Sequence, residues 1–435
     1  MRLKKLRESL MDGDAGAVFK GMATLLMGSG VAKLIGLAST PLLTRLYSPE
    51  DFGVLSIYVA LVSFLTPLLT LRYVLAIPLP KTDALAANIA ALSSGVLSVM
   101  ALLLSLLLWR AGEYFLNLMS MDALIPWRWM IVVGVVGAAI YEVLSMWATR
   151  KKDYRILAKT QFSQSVLGAS IKLLLGVLAL KPLGLLLGQI AAQSAGIGTY
   201  LRHYWCDINR HAANVNCAKV MLVARHYISY PLFRLPSQIL LVFSTQAPLL
   251  LVATFYGSQI TGQLGLALMA LALPVNLLGE SMSKSFYAEI ADIGRKKPDI
   301  VRRLTYLVTR RLFWLSILPA LLLMVGGKWI FSKIFGHQWG MAGEFASVLA
   351  FYLVFQFVQK PVSYLMFVFD GQKELLYLSI QRAAATVLCF WVGRWVGLDA
   401  VATVAVYSFV LSLHYVFSIF LAVKKIPKVI PTTFK

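Results

Sequence analysis

Long apolar runs dominate the pattern of hydrophobic and polar positions along this chain, and short polar segments separate them. Each run approaches or exceeds the ~20 residues that an α-helix needs to cross the hydrocarbon layer of a bilayer. The longest polar insert lies near residues 202–227 and divides the runs into two sets of six. The pattern predicts an all-α polytopic membrane protein with about twelve transmembrane helices. They lie near residues 20–46, 51–78, 84–110, 124–149, 155–180, 182–202, 228–256, 260–291, 303–326, 343–369, 374–396 and 398–423.

The composition agrees with this pattern. Of the 435 residues, 59% are hydrophobic and only 14% are charged. A soluble globular protein carries about 25% charged residues, so that class is excluded, and so is a disordered chain. The three cysteines do not make a disulfide framework. The histidines and cysteines near residues 203–217 fit no standard zinc spacing, so we expect neither a metal nor a cofactor.

The charge distribution predicts the orientation in the membrane. The chain carries 41 Lys and Arg against 19 Asp and Glu, a net charge of +22. If both termini face the cytoplasm, 28 of the basic residues fall in inside segments and seven in outside segments. The positive-inside rule favours that orientation and explains the basic excess without a nucleic-acid partner.

Five parts follow along the chain. They are a basic N-terminal segment (1–20), an N-terminal six-helix bundle (20–202), a cytoplasmic linker (203–227), a C-terminal six-helix bundle (228–423) and a cytoplasmic tail (424–435). Two stretches share the order Pro-Leu-Leu, then Tyr, then Gly. One extends from Pro41 to Gly53 and the other from Pro248 to Gly262. This recurrence indicates two related bundles with a pathway between them, which is a common transporter plan.

Ionisable groups inside predicted spans are functional candidates, because burying an unpaired charge in hydrocarbon is expensive. Six basic residues fall inside spans, and Arg45 lies near the outer end of the first. The substrate-cavity candidates are therefore Lys33, Arg45, Arg72, Lys172, Arg234, Lys360 and Arg382. The alternative for each is a snorkelling side chain or a structural ion pair.

Other polar residues inside spans have two interpretations each. Ser63, Thr66, Thr70 and Tyr73 are spaced to share one helical face, which suits sugar hydroxyls but also hydrogen bonding between helices. Glu142 and Glu280 are the only acidic residues well inside spans. Either carboxylate, with a pKa raised by burial, would take up a proton or a sodium ion and couple transport to a gradient. Alternatively, each neutralises a nearby Lys or Arg.

The first two spans resemble those of a known family. Arg45, Leu46, Tyr47, Pro49, Phe52 and Gly53 match its Arg-Leu-Tyr-x-Pro-x-x-Phe-Gly turn, and Leu71, Arg72, Tyr73, Ala76 and Ile77 match a second segment. The chain resembles the polysaccharide-biosynthesis flippases of the MOP exporter superfamily, and most closely the Wzx-type translocases of O-antigen and capsule units. The resemblance implies a MATE-like fold of two bundles around a central cavity, with alternating access.

The resemblance also implies a substrate and partners. The substrate would be an undecaprenyl-pyrophosphate-linked oligosaccharide that crosses the bacterial inner membrane. Membrane lipids, a polysaccharide polymerase and a chain-length regulator would be its partners. No ATP-binding phosphate loop (GxxxxGK[ST]) occurs in the sequence, in agreement with a transporter that does not hydrolyse ATP.

Two other functions compete with the flippase. A MOP-type antiporter of small cationic compounds would need an acidic cavity, whereas the six in-span residues above are basic. An integral-membrane polysaccharide polymerase would need a sizeable outside loop with catalytic groups. The longest outside segments, near 110–124 and 327–343, hold no evident catalytic constellation. We therefore expect a transporter of an anionic substrate rather than an enzyme.

Overall fold

The protein is helical almost throughout. The computed structural model describes residues 30–32, 34–36, 38–119, 121–293, 297–369 and 371–427, and no strand occurs among them. In this described part, eight helical stretches are long enough and apolar enough to cross a membrane. The all-α polytopic fold is therefore confirmed, while the count of twelve spans stays a prediction. The eight stretches are Pro49–Leu69, Asp83–Leu118, Asp122–Arg150, Tyr230–Tyr256, Pro298–Phe335, His337–Val362, Lys373–Val396 and Ala400–Lys424.

The chain divides into two compact units, and unit 1 comprises Met1–Tyr47 and Val54–Val242. Helix α1 comprises the described residues between 30 and 46. The others are α2 (Pro49–Leu69), α3 (Asp83–Leu118), α4 (Arg128–Arg150), α5 (Tyr154–Val177), α6 (Leu183–Ser194), α7 (Ile197–Ala212) and α8 (Cys217–His226). Three 3₁₀ or π-helical turns connect them, at Tyr73–Ala76, Asp122–Trp127 and Tyr230–Arg234.

Unit 2 comprises Ser48–Gly53 and Phe243–Lys435, so the first turn of α2 belongs to it. Helix α9 (Leu235–Tyr256) begins in unit 1 and ends in unit 2. The other helices of unit 2 are α10 (Ser258–Ile293), α11 (Pro298–Phe335), α12 (Gly340–Val362), the short α13 (Leu365–Val368), α14 (Gln372–Val396) and α15 (Ala400–Lys424). The five parts predicted from the sequence, with a linker at 203–227, stay a prediction.

The Ser-Pro-Glu-Asp stretch of the family motif starts α2. The backbone N–H and the hydroxyl of Ser48 both donate to Asp51 Oδ2, at 2.9 Å each, and the Asp51 N–H donates back to the Ser48 hydroxyl at 3.2 Å. This reciprocal arrangement is a capping box that satisfies N–H groups at the helix start. Pro49 follows at the first helical position, where its missing N–H is not needed.

Helix α2 ends earlier than the predicted second span, which extended to residue 78. The helix stops at Leu69, and Leu71 and Arg72 then adopt left-handed backbone angles, with φ of 44° and 60°. Such conformations are unfavourable for residues with a side chain, so surrounding contacts must hold them. Hydropathy gave no sign of this break, because Val74, Ala76 and Ile77 continue the apolar run and are fully buried in the core of unit 1.

In unit 2, small residues let helices approach closely. A side chain at Gly53 would overlap the carbonyl oxygen of Ser258, and one at Gly262 would overlap that of Pro49. The first turns of α2 and α10 therefore touch backbone to backbone, as small residues permit in membrane proteins. Next to this contact, the rings of Phe52 and Trp339 pack edge to face at 4.9 Å.

Candidate functional site

An ion pair in unit 1 joins two of the predicted site residues. Arg72 Nη1 donates to Glu142 Oε1 at 2.8 Å, and the two side chains are 12% and 20% exposed. Arg72 follows the end of α2, while Glu142 lies on α4. Arg72 Nε and Glu142 Oε2 are buried and have no hydrogen-bond partner, so each group keeps one unused polar atom at this place. Arg72 and Glu142 thus form an ion pair, which is one of the alternatives that the sequence left open, and their roles in transport stay predictions.

Two residues at the C-terminal end of helix α4 also hold the segment that follows Arg72. Two turns beyond Glu142, Arg150 donates from Nε to Asp83 Oδ1 at 2.8 Å and from Nη1 to the carbonyl oxygen of Pro80 at 2.6 Å. Lys151 donates to Asp83 Oδ2 at 2.8 Å and forms an ion pair with Asp207 at 3.0 Å. Burial alone would lower the pKa of the Lys151 ammonium. Its hydrogen bonds to the two aspartates have the larger combined effect, so the pKa is raised above its ordinary value.

Lys172 lies on α5 and has a neutral partner. Its Nζ donates to Gln189 Oε1 on α6 at 2.8 Å. Gly188 makes room for the lysine stem, because a side chain there would overlap Lys172 Cγ. Within the described residues, no carboxylate lies in ion-pair distance of this half-buried ammonium. Its positive charge is therefore not compensated by any acidic group in the described part of the chain.

The motif tyrosine supports the same position. Tyr47 donates from its hydroxyl to the carbonyl oxygen of Lys172 at 2.7 Å. Its ring is only 1% exposed, and side chains at Gly176 or Gly184 would collide with it. The resemblance of the first span to the flippase motif thus has a physical basis here, since Tyr47 fixes the backbone that carries Lys172.

Sequence reasoning missed three glutamines on α5 and α6, one of which contacts Lys172. Gln189 accepts its hydrogen bond, and Gln164 donates from Nε2 to the carbonyl oxygen of Gln193 at 2.9 Å. The side-chain oxygen of Gln193 is buried and has no hydrogen-bond partner. The sequence does contain a signal for them, because amide side chains are unusual inside predicted apolar spans. They were not among the candidates because the candidates there were charged residues.

The polar stripe predicted along the second span is divided by the end of α2. Thr66 donates back to the carbonyl oxygen of Val62, at 2.7 Å. Thr70 is fully buried in the turn that follows, and its hydroxyl has no hydrogen-bond partner. Tyr73 donates to the carbonyl oxygen of Ala224 on α8, at 3.2 Å. Ser63 is half-buried on α2, so the four residues do not continue along one helical face.

The remaining candidates are dispersed. Arg45 is exposed at the end of α1, and Lys360 is half-buried in the last turn of α12. Arg234 is exposed and lines an open cavity of about 690 Å³ together with Leu75 and Tyr230. Lys33 and the side chain of Glu280 lie outside the described residues.

Arg382 lies on α14 in unit 2. Its guanidinium carbon is 5.9 Å from the centre of the Tyr415 ring, and its Nε is buried without a hydrogen-bond partner. As with Lys172, no carboxylate of the described residues forms an ion pair with it. The same part of the chain holds no cluster of three His, Cys, Asp or Glu side chains that would bind a metal ion.

Solved structures of transporters are similar over most of their length. The inward closed conformation of the lipid II flippase MurJ matches with a TM-score of 0.67 and 14% identity, covering 93% of this chain and 88% of that one. An inward-facing multidrug resistance MATE family transporter of the MOP superfamily matches with a TM-score of 0.58 and 13% identity, covering 93% and 94%. A mutant of the Vibrio cholerae MATE transporter VcmN matches with a TM-score of 0.55 and 14% identity, covering 96% and 97%.

The apolar helices and these likenesses define a multi-pass helical membrane protein with the fold of MOP-superfamily transporters. At this low sequence identity, the likeness concerns the fold alone. The family follows from the sequence: residues 42–343 match the family described as polysaccharide biosynthesis protein, and the chain belongs to it. The resemblance seen in the first two spans is therefore confirmed. A comparison with curated proteins finds no match.

Proposed function

We propose that this protein is a flippase that moves an undecaprenyl-pyrophosphate-linked oligosaccharide, an O-antigen or capsule repeat unit, across the bacterial inner membrane by alternating access. The observation that carries the proposal is the uncompensated positive charge of Lys172. A pyrophosphate must cross about 30 Å of hydrocarbon, and the carrier has to supply countercharge along the way. A half-buried ammonium that has a neutral amide partner, and no carboxylate partner among the described residues, is a suitable countercharge.

The membership in a polysaccharide biosynthesis family supports a sugar substrate. The fold supports a lipid-linked one, because a similar structure is that of a lipid II flippase. The membrane lipid would accommodate the polyprenyl tail while the polar part passes through the protein. A polysaccharide polymerase and a chain-length regulator would use the exported unit, and we place both termini in the cytoplasm.

We further propose that an ion gradient drives transport through the Arg72–Glu142 pair. The two side chains are largely buried, and Glu142 Oε2 is free to receive a proton. Protonation of the carboxylate would remove its attraction to Arg72 and release the segment that follows α2. Glu280 is the second candidate for this role.

A multidrug antiporter is the second candidate function, and the similar MATE transporter favours it. A cationic drug needs an acidic site. Glu142, however, already pairs with Arg72, while Lys172 and Arg382 have no acidic partner among the described residues. These charges favour an anionic substrate.

The experiment compares lipid-linked oligosaccharide on the two leaflets after deletion of the gene. Complementation with wild type, Lys172→Arg or Lys159→Met is expected to restore outward movement, because Lys159 is an exposed lysine on the same helix α5. Lys172→Met is expected to reduce the rate about tenfold or more at matched expression, since it loses a charge-assisted interaction. A drug that accumulates in the deletion strain while the oligosaccharide is exported normally would establish the antiporter instead.

A further inference from the structure

A cavity of about 370 Å³ lies in unit 1 between α3, α4 and α7. Alanines of α3, among them Ala87 and Ala91, leave room for it, and leucine, isoleucine and valine side chains of α4 and α7 complete its walls. Only three of its described lining residues, Ser94, Trp147 and His211, carry a polar side-chain atom. A trapped water needs about two to four polar partners, so water is not a suitable occupant of these apolar walls.

The cavity is as long as one leaflet of a membrane is deep. Its α3 wall extends from Ala87 to Leu97, which is ~15 Å along a helix axis. That length is half of the ~30 Å of hydrocarbon in a bilayer. Helix α3 is one of the candidate spans, and its side chains Val99, Leu102 and Leu106, beyond the cavity, are exposed. The cavity therefore continues a surface that faces the acyl chains of membrane lipids.

His211, near the C-terminal end of α7, supplies a polar group to the cavity. Its Nε2 is 3.4 Å from Asp207 Oδ1 and 3.9 Å from Asp83 Oδ2, so the ring N–H of a neutral imidazole faces these carboxylates. His211 Nδ1 is buried and has no hydrogen-bond partner among the described residues. In that tautomer it accepts a hydrogen bond, as from a hydroxyl of a ligand. The Trp147 N–H is already used, because it donates to Asp207 Oδ2 at 3.0 Å.

The helices α7 and α8 are basic and expose apolar side chains. Their exposed basic residues are Arg202, Arg210, Lys219 and Arg225. Asp207 is the only acidic residue in the sequence from 197 to 226, and it pairs with Lys151. Trp205, Met221 and Leu222 are more than half exposed. Basic and apolar side chains together are typical of helices that lie in a membrane interface and attract anionic lipid headgroups.

We propose that this cavity holds one acyl chain of an anionic glycerophospholipid, whose headgroup lies beside His211 and the basic side chains of α7 and α8. The chain fills the apolar walls, the phosphate matches the basic surface in charge, and a headgroup hydroxyl supplies the hydrogen bond that His211 Nδ1 lacks. Phosphatidylglycerol has these three features, whereas phosphatidylethanolamine has no net negative charge. The bound molecule is a lipid of the membrane rather than transported cargo, so the proposal does not depend on the proposed function.

The test adds lipids of equal chain length to the delipidated full-length protein in detergent. It measures the melting temperature and, by native mass spectrometry, the number of lipids retained. Phosphatidylglycerol is expected to raise the melting temperature of wild type by several degrees, because a ligand of the folded state stabilises it, and phosphatidylethanolamine is expected to raise it less. Wild type is expected to retain one phosphatidylglycerol more than Ala91→Phe, in which the added ring fills the cavity. Val99→Phe places the same ring at an exposed position of α3 and is expected to behave as wild type does.

A second pair of variants tests the polar group. His211→Phe keeps a ring at this position but removes the nitrogen acceptor, and it is expected to weaken phosphatidylglycerol binding about tenfold. His203→Phe is the matched control, because His203 also lies on α7 and contacts an aspartate, Asp153, at 3.1 Å. It is not among the residues that line the cavity, so its affinity for the lipid is expected to stay at the wild-type value.

Four results would overturn the proposal. They are equal shifts with the two lipids, no lipid retained by wild type, undiminished retention in Ala91→Phe, and wild-type affinity in His211→Phe. If Ala91→Phe fails to fold, the smaller change Ala90→Leu at another lining position takes its place. A polyprenyl phosphate in a further arm of the titration tests the cargo tail as the occupant. If it binds in place of phosphatidylglycerol, the cavity belongs to the cargo and the proposal is wrong.

Discussion

At the scale of single residues, the buried charges of this protein fall into two kinds. Arg72 and Glu142 neutralise each other at 2.8 Å, whereas Lys172 and Arg382 have no acidic partner in the described part of the chain. A buried ion pair adds little net stability over apolar residues, but loss of one partner leaves a lone charge and is strongly destabilising. Removal of one partner of the Arg72–Glu142 pair is therefore expected to destabilise the protein, whereas Lys172 and Arg382 have no acidic partner among the described residues to leave unpaired.

This difference predicts the result of a double-mutant cycle. Arg72→Met is expected to destabilise the protein by about 3–5 kcal/mol, because the Glu142 carboxylate is left buried and unpaired. The double variant Arg72→Met with Glu142→Gln is expected to recover much of that loss. Melting of the purified protein in detergent measures both, with Arg155→Met, an exposed arginine, as the control. Glu142→Gln alone completes the cycle, and a loss in the double variant equal to the sum of the two single losses would show that the pair does not couple.

The sequence identified Arg72 and Glu142 as unusual but not as partners. Their meeting depends on the turn after α2, where Leu71 and Arg72 have positive φ, and hydropathy carries no information about that turn. Lys172 was found from its charge alone. Its partner Gln189 lies 17 residues away on another helix, so only the packing of α5 against α6 determines the contact.

At the scale of elements, the position of most helices follows from hydropathy, since long apolar stretches must satisfy their backbone groups internally. Exceptions are α8 and the second half of α7, which lie in the segment predicted as a linker. Many helix starts were also readable. Thr82, Asp153 and Asp399 each accept a hydrogen bond from a backbone N–H three residues later. Such side chains are the preferred N-caps. What the pattern could not supply is which helices touch, because small residues such as Gly53 and Gly262 leave no periodic signal of their partner.

The contact between the first turns of α2 and α10 gives a prediction at this scale. Gly53→Ala and Gly262→Ala are each expected to lower the melting temperature, because the added methyl group would meet backbone rather than a movable side chain. Gly95→Ala is the matched control, since open space surrounds that helical position. Alanine there should be neutral or stabilising by about 0.5–1 kcal/mol. If all three variants melt alike, the close approach is not a determinant of stability.

At the scale of the whole molecule, charge determines orientation. The excess of basic residues falls in alternate segments, and the positive-inside rule then predicts that both termini and the segment around α7 and α8 face the cytoplasm. The structure adds suitable probes for this placement. Cys206 and Cys217 are free and exposed, while Cys389 is buried. Asp122, on the segment predicted to face outward, is exposed and offers a position for an engineered thiol.

Membrane-impermeant maleimide distinguishes the two faces. In inside-out vesicles, variants that keep only Cys206 or only Cys217 are expected to be labelled. In right-side-out vesicles they are expected to stay unlabelled, because the reagent cannot reach a cytoplasmic thiol. Asp122→Cys in a cysteine-free background should give the opposite pattern, and a variant that keeps only Cys389 should react in neither, since its thiol is buried. Labelling of Cys206 from the outer face would invert the orientation. Every basic residue assigned to an inside segment would then face outward, and Arg72 would lie at the outer rather than the inner end of its span.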